Sequence, residues 1–410
     1  MNRSLRTAIR SAFLLATFIA WSPSIAAPRV PQRDDEPVAR LPASVFAARP
    51  RIPPAVASQT SHLPDLDRAI RDAGVLVELG RRTGDPRYAG QAQALLHPWW
   101  NDVQAPDGVL LLRAVLKQRN HQFDDALADL DKLLARRPGT GQARLSRAVI
   151  LQVQSRFSEA AQECERMQGT VPLPYALSCA LAVSGATGKL RASLRTLERF
   201  IAATPAADPA ARAWMLGLAA ELAERAGLER RARQHYLAAL RIDPQDPYLL
   251  AAYADFLLDA GRNGDVLPLL QEHVDSDPLL LRLAIAAQRL GTAQALTYRT
   301  MLSERFDASR RRADRVHLRE EARFALSVER DAAAALRLAT ENWAVQKEPA
   351  DARLLLDSGL AAGDGNAIRT VRAWLAATGM EDSRLQRQLA STPHPSHRFP
   401  RKPAERLSRL

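Results

Sequence analysis

Apolar residues recur every three to four positions over most of the chain, beginning near Asp65. The pattern is clearest between Ala210 and Pro278, where two consecutive units each contain an apolar-striped segment, a turn, a second striped segment and an Asp-Pro dipeptide. The two turns contain Gly227 and Gly261. Because this spacing places the apolar side chains on one face of a helix, it predicts two successive helical hairpins.

The hairpins repeat with a nearly constant period. Pro138 and Pro172 lie 34 residues apart, and so do Pro244 and Pro278. We expect such a proline to end the second helix of each hairpin. Small residues also recur twelve positions apart, as the pairs Ala114–Ala126, Ala148–Ala160, Ala220–Ala232 and Ala254–Val266. Small side chains allow two helix axes to approach closely, so the two helices of a hairpin are expected to cross at these pairs.

A 34-residue helix–turn–helix unit with a terminal proline resembles the tetratricopeptide repeat family. The resemblance extends over residues 65–380 and is clearest over residues 107–278. It implies an all-α fold, a right-handed α-superhelix (solenoid) whose first helices line a concave groove that binds a protein partner. Chaperone-binding members hold a terminal carboxylate with Lys and Asn. The matching positions here are Leu111, Val115 and Leu145, which argues against that ligand.

Both ends of the chain depart from the helical pattern. Residues 1–26 have the form of a secretory signal peptide, with three arginines, an apolar run of ten residues, and the small residues Ser24 and Ala26. We predict cleavage after Ala26 and a periplasmic location, with an uncleaved signal anchor as the alternative, and no transmembrane segment in the mature chain. Residues 27–64 contain eight prolines and predict a disordered linker. Residues 381–410 predict a basic disordered tail.

The chain is strongly basic, with a net charge of +12 and a pI of about 10.4. Such a charge usually suggests nucleic acid as a partner. However, 52 of the 57 basic residues are arginines, and they alternate with carboxylates along the predicted helices. This distribution favours a solvated arginine-rich surface, and the signal peptide argues against nucleic acid.

Residues that would carry catalysis or hold a cofactor are not recognisable in the sequence. It contains no phosphate-binding loop, no Gly-x-Ser-x-Gly, no His-Glu-x-x-His and no Cys-x-x-Cys motif. The histidines have no partner at ligand spacing, so we predict neither a metal nor a cofactor. Cys164 and Cys179 fall on adjacent predicted helices of neighbouring hairpins, and either a structural disulfide or two buried thiols fits this position.

The predicted concave groove contains aromatic and acidic residues on three successive first helices. The aromatic residues are Tyr175, Trp214 and Tyr248, and the acidic residues are Glu221, Glu224, Asp255 and Asp259. Together they would suit an extended peptide with basic or apolar side chains. The alternative is that the aromatic residues only pack between helices.

A second candidate surface is basic. Anionic lipid or polymer could contact Arg310, Arg311, Arg312 and Arg315, together with the tail residues Arg398, Arg401 and Lys402. The same helical cluster could instead form ion pairs on a solvated face. The sequence therefore predicts a non-catalytic periplasmic scaffold that mediates protein–protein interaction, with binding of an anionic envelope polymer or lipid as the alternative.

Overall fold

The computed structural model describes residues 65–312 and 316–391, and every regular element in these ranges is helical. The first ten α-helices are α1 (Leu66–Thr83), α2 (Arg87–Leu95), α3 (Asp107–Arg119), α4 (Phe123–Arg136), α5 (Gly141–Val153), α6 (Phe157–Arg166), α7 (Leu173–Ala186), α8 (Leu190–Ala203), α9 (Pro209–Arg225) and α10 (Glu229–Ile242). The remaining nine are α11 (Pro247–Asp259), α12 (Asn263–Leu270), α13 (Asp277–Leu290), α14 (Gln294–Arg311), α15 (Leu318–Phe324), α16 (Ala332–Val345), α17 (Pro349–Ala362), α18 (Gly365–Thr378) and α19 (Ser383–Ala390). A short 3₁₀ turn (His97–Trp99) follows α2, and a π turn (Ala325–Glu329) follows α15.

Successive helices pair as antiparallel hairpins, so the structure is the predicted all-α helical repeat solenoid. The small residues at the predicted crossings are fully or almost fully buried in all four pairs, from Ala114–Ala126 to Ala254–Val266. Their burial lets the odd-numbered helix of each hairpin pack closely on the even-numbered one. The prediction of these crossings is confirmed.

The period-marking prolines do not all act in the same way. Pro138 and Pro244 follow the ends of α4 and α10, as expected. Pro172 instead immediately precedes α7, and Pro278 belongs to the first turn of α13. The first turn of a helix tolerates proline because its N–H groups have no intrahelical acceptor. The expectation that the proline ends the second helix is therefore wrong at Pro278, where it starts the next one.

The helical array closes on itself, because its later hairpins contact its earlier ones. At one edge, Arg81 in α1 forms an ion pair of 3.0 Å with Asp246 at the start of α11, and Gly84 lies against Ser276. At the other edge, the amide of Lys347 donates to the carbonyl of Val153 at 2.7 Å. These contacts join residues that are more than 160 positions apart in sequence.

The helical array also extends further than predicted. Residues 381–391 were assigned to the disordered tail, but they contain α19. Asp382, fully buried, accepts the amides of Arg384 and Leu385 and so starts this helix, and Leu385 and Leu389 pack into the core. The remainder of the tail prediction, together with the predicted signal peptide and linker, lies outside the described residues.

Candidate functional site

The concave surface of the array encloses a cavity of about 1410 Å³. Most of its wall comes from the odd-numbered helices, which the family resemblance placed on the inner side. Typical pockets for small molecules measure roughly 300–1,000 Å³, so this space is larger than a small ligand needs. The cavity is lined by charged residues, chiefly arginines and carboxylates, alongside Tyr236, Tyr248 and several aliphatic side chains.

The three predicted groove aromatics divide into two groups. Tyr175 and Trp214 pack against each other, with ring centroids 5.4 Å apart. Both are half-buried, which fits a packing role between α7 and α9. Tyr248 lines the cavity and is 63% exposed there. Of the three, Tyr248 is the one that the structure places on the cavity wall.

Glu221 and Tyr248 form a hydrogen-bonded pair between α9 and α11. The Tyr248 hydroxyl donates to a carboxylate oxygen of Glu221. Burial raises the pKa of Glu221 to about 7, with the nearby charge of Glu224 adding to the effect and the Tyr248 hydrogen bond opposing it. The negative charge of Glu221 holds the pKa of Tyr248 well above its ordinary range. The pair therefore changes charge near neutral pH through the glutamate.

The other predicted carboxylates already have partners. Glu224 accepts the Tyr236 hydroxyl and an Arg353 guanidinium N–H, each at 2.9 Å. Burial raises the pKa of Glu224, although Arg353 acts against this. Asp259 is paired with Arg353, at 3.5 Å, and with Arg384.

Asp255 is bound by two arginines. Arg282 reaches it in a bidentate contact of 2.5 and 3.0 Å, and Arg323 adds a third hydrogen bond of 2.5 Å. Burial alone would raise the pKa of Asp255, but the charges of Arg282 and Arg323 together bring it below its ordinary value. Three of the four predicted carboxylates are thus paired with arginines, which come from α13, α15, α17 and α19.

Two further arginines on the cavity wall were not predicted. Arg225 is 9% exposed, donates to the carbonyl of Gly185 at 3.1 Å and lies 2.6 Å from the sulfur of Met380. Arg119 is half-buried near Gly80. Burial lowers the pKa of both guanidinium groups. From the sequence alone, the two arginines resemble ordinary surface residues near the end of a helix, because the segments that bury them are remote in the chain.

The two cysteines form a disulfide between α6 and α7. The Cα atoms of Cys164 and Cys179 are 5.5 Å apart, and both side chains are about 1% exposed. The bond links neighbouring hairpins, so its position is structural. In the part of the chain that the structure covers, no group of three or more His, Cys, Asp or Glu residues is placed to hold a metal.

The predicted basic surface is only partly described. Arg310 contacts Asp307 and Glu321, so its charge is balanced by two carboxylates. Arg311 and Arg312 are exposed at the end of α14. The other members of this prediction, Arg315, Arg398, Arg401 and Lys402, lie outside the described residues. Within residues 65–312 and 316–391, no helix has both the length and the apolar character required to span a bilayer.

One family model agrees with the repeat architecture of part of the chain. The family model described as "Tetratricopeptide repeat" matches residues 111–173 and 185–247. No curated protein matches the chain. Among solved structures, the chain is similar to the crystal structure of the P58(IPK) TPR domain, with 16% identity over 78% of this chain and 96% of that chain, and a TM-score of 0.23. The two matched stretches cover most of α3 to α6 and α8 to α10, so this part of the chain consists of tetratricopeptide repeats.

Proposed function

We propose that this protein is a non-catalytic scaffold of the periplasm and that it binds a protein partner in its central cavity. Tetratricopeptide arrays are typically interaction scaffolds, and their concave surfaces are the usual place of contact. The observation that supports this proposal is the cavity itself, because about 1410 Å³ can receive an extended peptide segment. The exposed ring of Tyr248 and the adjacent Glu221 offer that segment an aromatic surface and a hydrogen-bonding carboxylate.

The partner site is tested by comparing two exposed side chains. Tyr248 is 63% exposed inside the cavity, and Leu296 is 69% exposed on α14, outside the cavity lining. Affinity capture from cell envelope should recover a set of proteins that is lost with Tyr248→Ala and retained with Leu296→Ala. Capture that is the same for the parent and both variants would eliminate the cavity as the partner site.

The location is tested separately. Cell fractionation followed by N-terminal sequencing should find the protein in the periplasmic fraction with Ala27 as its first residue. A full-length chain in the cytoplasmic fraction would refute the export proposal without affecting the partner site.

Binding to an anionic polymer or lipid remains the second candidate, but the ion pairs of Arg310 reduce the charge available for it. Such binding should weaken steeply with salt, because exposed charges are screened. Sedimentation with vesicles of anionic lipid, at low and high salt, distinguishes it from binding in the cavity.

A further inference from the structure

We propose that α16–α19, named here the C-terminal hairpins, are an internal ligand of the cavity wall and that a protein partner gains the carboxylates of α9 and α11 when these hairpins move away. This inference rests on the proposed partner site in the cavity. It adds that Glu224 and Asp259 of this site are already occupied in cis, and that the partner must offer the chemistry that occupies them, namely guanidinium groups.

Arg353 in α17 is the centre of the closure. Its guanidinium contacts carboxylates from three separate parts of the chain: Glu224 on α9 at 2.9 Å, Asp259 on α11 at 3.5 Å, and Asp382 at 2.8 Å. The Arg353 side chain is 16% exposed, so these contacts are largely shielded from water. One residue of the C-terminal hairpins therefore joins two neighbouring inner helices, α9 and α11.

Arg384 in α19 repeats this arrangement. It pairs with Asp259 on α11, and it also lies near Asp357 on α17. Because Arg353 and Arg384 meet at Asp259, the hairpins present two adjacent guanidinium groups to the carboxylates of the wall. Arginine suits such contacts, since its planar group forms paired hydrogen bonds with carboxylates.

The remaining contacts of the hairpins with the earlier repeats are mainly polar. The Ser155 hydroxyl donates to the carbonyl of Lys347 at 2.9 Å and accepts the indole N–H of Trp374 at 2.9 Å. The amide of Leu190 donates to Glu381 at 3.2 Å. Polar contacts of this kind can be replaced by water or by a partner, unlike a continuous apolar core.

The apolar core is interrupted at the same interface. One core joins α8–α14 with Phe324 and Val328, and another joins the C-terminal hairpins with α15. Within the described part of the chain, Ala186 is the one residue before α15 that belongs to this last core, with Phe157 packed beside it. Except at Ala186 and at α15, the hairpins and the wall therefore belong to different apolar cores.

An irregular turn lies between α15, which contributes to both cores, and the C-terminal hairpins. The π turn Ala325–Glu329 follows α15, and Arg330 has a left-handed backbone with φ of 59°. Such irregular turns at element ends are common hinge positions, because a few residues absorb the change in backbone angles.

The opening is measured by hydrogen exchange on the full chain. The amides of Lys347 and Leu190 bond across the closure, whereas the amide of Ala219 lies inside α9. Arg353→Glu should speed exchange at the first two amides at least about tenfold and leave Ala219 unchanged. Arg337→Glu is the matched control, because Arg337 is exposed and pairs with a residue on its own helix. Equal protection in the parent and in folded Arg353→Glu would overturn the proposal.

Salt provides a second measurement that needs no variant. Raising the ionic strength from about 0.1 M to about 1 M shortens the Debye length from about 10 Å to about 3 Å. Salt acts mainly on the more exposed pair of the closure, Arg384 with Asp259, so the Lys347 and Leu190 amides of the parent should then exchange faster, while Ala219 keeps its protection. If salt leaves all three amides equally protected, the closure is not electrostatic and the proposal fails, even where Arg353→Glu does not fold.

The partner chemistry is tested with a fluorescent peptide that has the sequence of residues 349–390. Arg353→Glu should bind this peptide at least about tenfold more tightly than the parent, because the variant's own hairpins no longer compete for the wall. Equal affinity for the parent and the variant would refute competition in cis. This experiment is independent of the capture experiment above. If the cavity binds an envelope protein but the peptide shows no competition, the proposed function stands and the closure is refuted.

Discussion

The position of Glu221 in the cavity predicts how the stability of the protein depends on pH. An acid whose pKa is raised on folding is disfavoured in its charged form in the folded state. The pKa of Glu221 rises from an ordinary value of 4.5 to about 7. Its neutral form is therefore retained by the fold up to neutral pH. The stability that this neutral form contributes is fully present below about pH 4.5 and is lost as the pH rises through about 7.

The size of this loss of stability follows from the shift in the pKa of Glu221. One pKa unit corresponds to about 1.4 kcal/mol, so a fully buried group shifted this far would cost about 3 kcal/mol above pH 7. Glu221 is only half-buried on the wall of a large cavity, where water screens part of its charge. We therefore expect a penalty of about 1–2 kcal/mol at pH 8.

Glu221→Gln removes the charge and keeps an oxygen that can accept the Tyr248 hydroxyl. Urea unfolding should give equal free energies for the parent and the variant near pH 4, with the variant becoming more stable by about 1–2 kcal/mol by pH 8. Glu165→Gln, at an exposed position on α6, is the control and should differ little from the parent at either pH. If Glu221→Gln is less stable than the parent at pH 8, the Tyr248 contact outweighs burial and the reasoning is wrong.

Two further changes test the packing between hairpins. Replacing Cys164 and Cys179 together with Ala should lower the free energy of unfolding by about 3 kcal/mol, as expected for a closed loop of this length, and a loss below about 1 kcal/mol in urea unfolding would contradict it. Gly141→Ala would place a methyl carbon 2.3 Å from Val171, so it should cost about 1–3 kcal/mol, measured in the same way. Gly139→Ala is its control, because a methyl group there meets no atom within 4 Å.

The repeat architecture could be predicted because it depends on local rules. An apolar stripe predicts a helix, and the pair Ala220–Ala232 predicts where two neighbouring helices cross. Both inferences use residues that lie close together in sequence, and both agree with the buried alanines of the structure. The start of the array at Asp65 was also readable, because an Asp followed by an apolar stripe is a common helix start.

The closure could not be predicted in this way. Repeat arrays are expected to make contacts between neighbouring units, and a sequence pattern with a 34-residue period reports only those contacts. Arg353 and Glu224 are 129 positions apart, so no periodicity relates them. The acidic residues lie on the inner helices, but their arginine partners come from hairpins whose placement depends on the accumulated rotation of the whole array.

The net positive charge of the chain is hard to interpret from the sequence for the same reason. The sequence shows arginines interspersed with carboxylates, a pattern that is typical of solvated helix faces. In the structure, Arg282 and Arg353 belong to this pattern, yet they lie inside the array and bind Asp255 and Glu224. A wall built from ion pairs has a consequence that an apolar wall lacks. Removing one partner leaves a buried charge, whereas replacing that partner with another arginine restores the contact. A basic segment of a partner can therefore replace the basic segment of this chain at the cavity wall. An apolar contact of the same area would not favour such an exchange.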